Sequence, residues 1–291
     1  MTIRRELHEA NRLSWNAGTR AHNSHKGEQA DFFRNGGSTL FSEELELLGD
    51  ISGQSLVHLM CNSGQDTLSL ARHGASVLGV DISDEAVEFA TALSRDSGIP
   101  GRFERADVYD WLAGTDETFD NAYMSYGAMT WLSDLEAWAR GVARILRPGG
   151  RFVLIEFHPI LFIFEEVEDD NVVDRLRVRY PCSGGELMSF DDGVSDYVAI
   201  SGEGLTPDGY QEGEVDFRNP HACHEFAWGV EETVGALLAA GLRLTTLREY
   251  PYTTGYRPYS IMREVGERRY AFVDQVPRLP LMFGIVAEKP R

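Results

Sequence analysis

The 291-residue chain is short of three things, and each shortage narrows what it can be. Cysteines number three (Cys61, Cys182, Cys223), too few and too scattered for a disulfide framework. Positive charge is scarce: 27 Lys and Arg stand against 46 Asp and Glu, a formal net charge of −19. A protein that grips nucleic acid needs a basic stripe to displace counterions from phosphates. The densest basic stretch, residues 263–269, is interleaved with Glu264 and Glu267, so neither nucleic acid nor an anionic membrane surface is an expected partner. Long apolar runs are absent too. The longest after the central strands, residues 160–164, falls far short of the ~20 residues a membrane span requires. The first residues, charged from Arg4 onward, have no apolar signal-peptide core, so the expected location is the cytoplasm.

With 43% hydrophobic and 25% charged residues, the composition is that of a folded globular protein. Helix-like spacing of Leu7, Leu13 and Trp15 opens the chain, and a polar stretch over residues 16–29 carries His22 and His25. Then a regular rhythm begins. Short apolar runs at residues 55–60, 76–80, 101–105, 119–123 and 151–157 read as buried strands. Helical patterns at residues 66–73, 84–97 and 135–146 separate several of them, with Gly74, Gly98 and Pro148 as stops. Such alternation predicts βα units and a doubly wound, Rossmann-like, mostly parallel α/β sheet of about seven strands. The rhythm breaks over residues 159–228, where an acidic run, many glycines and short alternating pieces (176–180 and 195–200) suggest an inserted β-rich lid. A helix at 231–240 and strands at 242–247 and 281–288 complete the sheet, around an aromatic excursion with Tyr250, Tyr252, Tyr256 and Tyr259. The expected division is a helical cap (1–50), a ligand-binding domain (51–158 and 229–291) and a substrate lid (159–228).

Ligands of such sheets bind outside the carboxyl ends of the strands. The residues there are Met60, Cys61, Asn62, Ser63, Gly64 and Asp66, then Asp81, Ile82 and Ser83, then Asp107 and Val108, then Ser125 and Tyr126, and finally His158. Gly64 lets backbone approach a ligand closely. Asp81, seventeen residues further on, is placed to accept both hydroxyls of a ribose. Asp107 suits an adenine amino group, and the Val108 N–H a ring nitrogen.

The order Val57-His58-Leu59-Met60-Cys61-Asn62-Ser63-Gly64, Gly79-Val80-Asp81-Ile82-Ser83, Arg105-Ala106-Asp107-Val108 and Leu146-Arg147-Pro148-Gly149-Gly150 resembles the class I S-adenosylmethionine-dependent methyltransferases of small-molecule type. The resemblance covers residues 50–158 closely and implies S-adenosylmethionine as cofactor. It departs in the first loop, where two or three glycines are usual and Cys61-Asn62-Ser63-Gly64 keeps the last. A dinucleotide would need the full glycine spacing to seat its pyrophosphate, and Asp66 would repel it. Base and amide methyltransferases carry an Asn/Asp-Pro-Pro-Tyr loop after the fourth strand, unlike Ser125-Tyr126-Gly127-Ala128. A small, neutral or cationic acceptor is therefore expected.

A sulfonium methyl is already activated, so alignment is the main task, and a base serves acceptors that must shed a proton. His158, at the mouth of the fifth strand, is the first candidate, with His25 and Tyr252 beside it. Glu156 alternates to the other side, as a structural group. Trp15, His22, Tyr126, Trp131 and Tyr250 are expected to touch substrate. His221, Cys223 and His224 match no common metal-ligand spacing, so no metal is expected. A regulatory cofactor-binding protein, a methylation-triggered cyclisation and a protein methyltransferase are the alternative readings, and a homodimer is compatible with the lid.

Overall fold

The computed structural model describes residues 2–291. At its centre lie five strands that alternate with helices, β1 (Ser55–Leu59), β2 (Ser76–Asp81), β3 (Arg102–Arg105), β4 (Phe119–Ser125) and β5 (Leu146–Phe157). They pair in parallel, β1 with β2 from Ser55↔Ser76, β1 with β4 through Val57↔Ala122, and β4 with β5 through Ala122↔Phe152. Both faces of these strands are covered, and for that reason they read as continuous apolar runs. Successive residues serve opposite cores. Val57, Leu59, Met124 and Phe152 join one cluster, while Leu56, Tyr123, Val153 and Ile155 join the other.

Before the sheet come α1 (Arg5–Ser24), α2 (Gln29–Arg34) and α3 (Ser42–Leu48). Between strands run α4 (Gln65–Arg72), α5 (Asp84–Ser97), α6 (Val108–Gly114) and α7 (Leu135–Ile145). The termini of α5 are those of the sequence pattern, since the Ser83 side chain accepts the Ala86 N–H and Gly98 closes the helix at φ +73°. Helix α6 escaped the sequence reading. Its start is set by Asp107, whose carboxylate caps the Tyr109 N–H at 2.8 Å, a signal hidden by the ligand role assigned to that residue.

Residues 159–228 hold two antiparallel strand pairs, β6 (Phe164–Glu166) with β7 (Leu176–Val178), and β8 (Glu186–Phe190) with β9 (Cys223–Ala227). The stretch at 195–200, expected to alternate as a strand, instead contains α8 (Tyr197–Ser201), capped by the Asp196 carboxylate on the Ala199 N–H. After α9 (Val230–Ala239) comes β10 (Arg243–Tyr250), then a small sheet of β11 (Thr253–Thr254), β12 (Met262–Gly266) and β13 (Arg269–Phe272), and finally β14 (Met282–Glu288). The seven-stranded sheet has the order β10-β14-β5-β4-β1-β2-β3, with β14 antiparallel to both neighbours. The excursion after Tyr250 is thus a three-stranded sheet rather than a loop. Its hairpin turns at Glu267 and Arg268, both at positive φ, without the Asn or Gly that would have announced such a turn.

The polar stretch over residues 16–24 also differs from expectation, because α1 runs through it. Its polar side chains are buried for a reason. The Asn11 amide donates to the His224 carbonyl at 2.8 Å and accepts the His224 N–H at 2.7 Å, and the Ser14 hydroxyl accepts the Val194 N–H at 2.9 Å. Helix α1 therefore clips the insertion to the sheet through backbone hydrogen bonds.

Gly64 sits at φ +77°, and a Cβ there would meet the Ala90 Cβ at 2.6 Å and Phe103 at 2.7 Å. The close approach that demands glycine is thus toward α5 and β3, not toward the ligand side. Gly64→Ala should destabilise the fold by about 2–4 kcal/mol, from left-handed strain plus overpacking, read as a lowered urea midpoint at unchanged slope.

Candidate active site

The loop after β1 explains how the chain manages without its glycines. Met60 lies at φ 58° and Asn62 at φ 47°, so alternate residues 60, 62 and 64 all take the left-handed conformation. Asparagine tolerates it. Methionine does so at a cost of about 1–2 kcal/mol. The turn is held from outside: the Asp81 carboxylate accepts the Asn62 N–H at 2.7 Å and the Ser83 N–H at 2.9 Å, tying the tips of β1 and β2 together. Burial pushes the Asp81 carboxyl above its ordinary range, and the N–H groups of Ser83, Asn62 and Ile82 pull it back.

Around these tips lies a cavity of about 580 Å³, within the usual range of small-molecule sites. Met60, Cys61, Asn62, Asp66, Asp81, Ile82, Asp107, Val108, Ser125 and Tyr126 line it, ten of the thirteen positions read from sequence as cofactor-binding. The exceptions are Ser63, Gly64 and Ser83, which face inward or cap helices. Ser63 accepts the Asn23 amide at 2.9 Å, and Ser83 caps α5 while its hydroxyl donates to Asn16 at 2.7 Å. Asp107 is also more committed than expected. One oxygen caps α6, and the other lies 2.6 Å from His8 Nδ1, a ring stacked on Tyr109 and anchored to Ser133. Burial, the largest single influence, raises the Asp107 carboxyl, yet the bond and charge of His8, the Tyr109 N–H and the Arg5 charge together outweigh it and the net shift is downward.

The proposed bases fall elsewhere. Phe157 and Pro159 line the cavity, but His158 between them does not. Its Nδ1 accepts the Ile160 N–H at 3.2 Å and its Nε2 lies 3.3 Å from Glu249, so it caps a turn outside the chamber. His25 is bound to Asp196 at 2.8 Å and stacked on Tyr210, and Tyr252 donates to Glu43 at 2.8 Å; neither borders the cavity. Of the expected substrate contacts, Trp15, Tyr126 and Trp131 line it, whereas His22 and Tyr250 do not. His22 is bonded to the Ser195 carbonyl at 2.8 Å, and burial lowers its pKa to about 4.

Glu156 takes the structural role read for it. Its carboxylate gathers the N–H groups of Gly127, Ala128, Met129 and Phe157, and so fixes the loop after β4. Other residues line the cavity without having been assigned to the site: His58 from within β1, and Asn11, Lys26, Tyr197, Glu225, Tyr256 and Arg268 from remote segments. His58 bonds Thr67 at 2.9 Å and is kept neutral by burial, its pKa lowered to about 3. Lys26, pulled down to about 8 by burial, feels the charges of Asp208 and Asp66. A buried Asp208 oxygen and the Tyr126 hydroxyl have no hydrogen-bond partner, so the chamber retains unspent polar capacity.

Comparison with known proteins agrees with this geometry. Residues 57–150 match the family described as a methyltransferase domain. That central domain is an S-adenosylmethionine-dependent methyltransferase domain of class I. Over 175 residues (59% of the chain) it is 30% identical to a demethylmenaquinone methyltransferase of Tropheryma whipplei, and it spans 66% of that relative's length. An S-adenosylmethionine-dependent Diels-Alderase of Talaromyces variabilis shares 33% identity over 108 residues, 36% of the chain and 37% of that protein. Among solved structures, an S-adenosylmethionine-dependent methyltransferase from Mesorhizobium loti superposes with a TM-score of 0.54 at 21% identity, over 88% of this chain and 99% of that one. The family's cofactor is S-adenosylmethionine, and among the described residues no helix of this methyltransferase is long and apolar enough to cross a membrane.

Two expectations follow. Asp81→Ala should weaken S-adenosylhomocysteine binding by about 1.5–3 kcal/mol, measured by calorimetry. Glu44, buried under the cavity floor, accepts the Tyr123 hydroxyl at 2.8 Å, and burial raises its pKa to about 8. The folded state therefore holds a proton there that the unfolded chain releases near its ordinary pKa of about 4.5. That contribution is complete at low pH and is lost as pH rises toward 8. Glu44→Gln should thus gain stability relative to wild type between pH 5 and pH 8, read from urea unfolding at the two values.

Proposed function

We propose that this methyltransferase transfers the S-adenosylmethionine methyl group to a small metabolite enclosed beneath its insertion. The observation that carries the reading is the continuity of one chamber. It runs from the acid-tipped ends of β1 to β3, past the Ser125-Tyr126 turn, to aromatic walls supplied by α1, the insertion and the β11–β13 sheet. Asp81 and Asn62 suit a ribose, the Val108 N–H an adenine ring, and Lys26 with Arg268 the carboxylate of the amino-acid end. Bound there, the cofactor supplies an activated methyl. The chain's own residues then orient two ligands in line and exclude water, which accounts for large rate gains without a charged nucleophile. A protein acceptor fits poorly, because the aromatic half of the chamber is roofed by α1 and by residues 188–198.

Calorimetric titration with S-adenosylmethionine and S-adenosylhomocysteine, against a nicotinamide dinucleotide control, should show micromolar binding of the first two alone. Lys26→Ala should weaken S-adenosylhomocysteine about tenfold or more, the scale of a charged hydrogen bond, yet leave methylthioadenosine, which lacks the amino-acid end, unaffected. Equal losses for both ligands would place Lys26 away from that end. A turnover product unchanged in mass would assign the cofactor a non-methylating role instead, as the name of the Diels-Alderase relative suggests for that protein.

A further inference from the structure

Glu225 is the one carboxylate that the insertion strand β9 turns into the chamber, and none of the roles above uses it. It stands opposite Met188 in the antiparallel β8–β9 pair. Its Oε2 accepts the Thr130 hydroxyl at 3.2 Å, from the short turn that follows β4. Glu225 lines the chamber, and among the described residues no Lys, Arg or His is paired with it, so its carboxylate has no counter-charge there. Lys26 and Arg268, the chamber's cations, exert no resolved influence on it and instead act on Asp66.

The walls beside it are aromatic. Trp131 meets Trp15 edge-on at 5.4 Å, Trp15 meets Tyr197 at 6.3 Å, and Tyr197 meets Tyr256 at 6.0 Å. All four rings line the cavity. Ring faces carry negative potential, and a carboxylate among them makes a site that favours a cation over a neutral or anionic group. A quaternary cation would leave the carboxylate nothing to take. A protonated amine gives it a proton.

Resting on the methyl-transfer reading, we propose that Glu225 is the catalytic residue that binds and deprotonates an amine acceptor held in this aromatic cage. The balance is simple. The ammonium N–H proton passes to the Glu225 carboxylate, and the freed nitrogen lone pair forms the N–C bond while the C–S bond breaks. Its electron pair stays on sulfur as S-adenosylhomocysteine, and the proton leaves Glu225 with product release. Burial brings the Glu225 carboxyl up to about 7, with Thr130 drawing it down, where a general base works best at neutral pH. Its charge in turn adds to the burial that raises the neighbouring Tyr256 and Cys223, both protonated there, Cys223 at about 12.

The test uses the full chain and labelled S-adenosylmethionine with four probes: phenethylamine, tryptamine, phenethyl alcohol and phenylacetate. Transfer to an amine and to neither neutral nor anionic probe is expected. Glu225→Gln should lower that rate about a hundredfold or more, the low end for a lost general base, and remove the acid limb near pH 7. Calorimetry on the protein saturated with S-adenosylhomocysteine gives a readout independent of turnover. There the amine should bind at least tenfold more weakly to the variant, while S-adenosylhomocysteine itself binds both proteins within twofold. Transfer to the alcohol or acid, an unaltered Glu225→Gln rate, or no transfer to either amine despite intact cofactor binding would each overturn the assignment. Loss of S-adenosylhomocysteine binding in the wild type would instead overturn the methyl-transfer reading beneath it.

Discussion

The structure hangs on one carboxylate holding one turn. Asp81 accepts the backbone N–H groups of Asn62 and Ser83, and so fixes the tip of β1 against the tip of β2. The turn it holds is conformationally expensive, because Met60 and Asn62 occupy left-handed backbone that the family ordinarily gives to glycine. Strain of this kind persists only where its surroundings over-determine it. Here they do. Cys61 donates its N–H to the Val80 carbonyl at 3.0 Å, its thiol fills the space left by Gly79, and Gly64 packs against Ala90. Asp81 therefore holds the loop while it also lines the chamber.

From that edge outward, the chamber is assembled by polar backbone docking more than by apolar contact. Asn11 and Ser14 of α1 bond to main-chain groups at His224 and Val194, and so help to hold the insertion, whose Leu161, Phe226 and Trp228 join the two cores of the sheet. Glu156 performs the same service for the loop after β4, and Asp196 for α8. Buried carboxylates and amides that satisfy backbone N–H groups are costly to move, since each leaves unpaired donors behind. The ion pairs on the outer face of α1, Arg5 with Asp110 and Arg20 with Glu85, are exposed and contribute little. The acidic surplus, a net charge of −19 for the chain, extends into the chamber, where Lys26 and Arg268 stand against Asp66, Asp81, Asp107, Glu156, Asp208 and Glu225.

Much of the cavity wall at the strand ends was legible before the fold. Parallel strands bury both faces and so announce themselves as apolar runs, and in this topology the residues after each run share one edge. Met60, Asp81, Asp107 and Tyr126 could be named for that reason. Asp107 still carried a second meaning, because the same short acid that suits a ligand also suits a helix cap, and it does cap α6. The acceptor half was not legible. His158, His25 and Tyr252 are side chains of the right chemistry near the right strands, but each spends its polar atoms on a neighbour outside the chamber.

The sequence by itself determined the local periodicities, and with them the order of strands, the acid at each tip and the family. The acids concerned are Asp81 at the tip of β2 and Asp107 just after β3; such features depend on neighbours in the chain, and short-range patterning records them. The tertiary structure alone decided which aromatic rings face the cavity and which carboxylate stands among them. Trp15, Tyr197, Glu225 and Tyr256 come from four separate elements, and nothing in their local spacing encodes that they meet. They converge because α1 and the insertion close over the same strand ends, a constraint set by backbone hydrogen bonds between residues some two hundred positions apart.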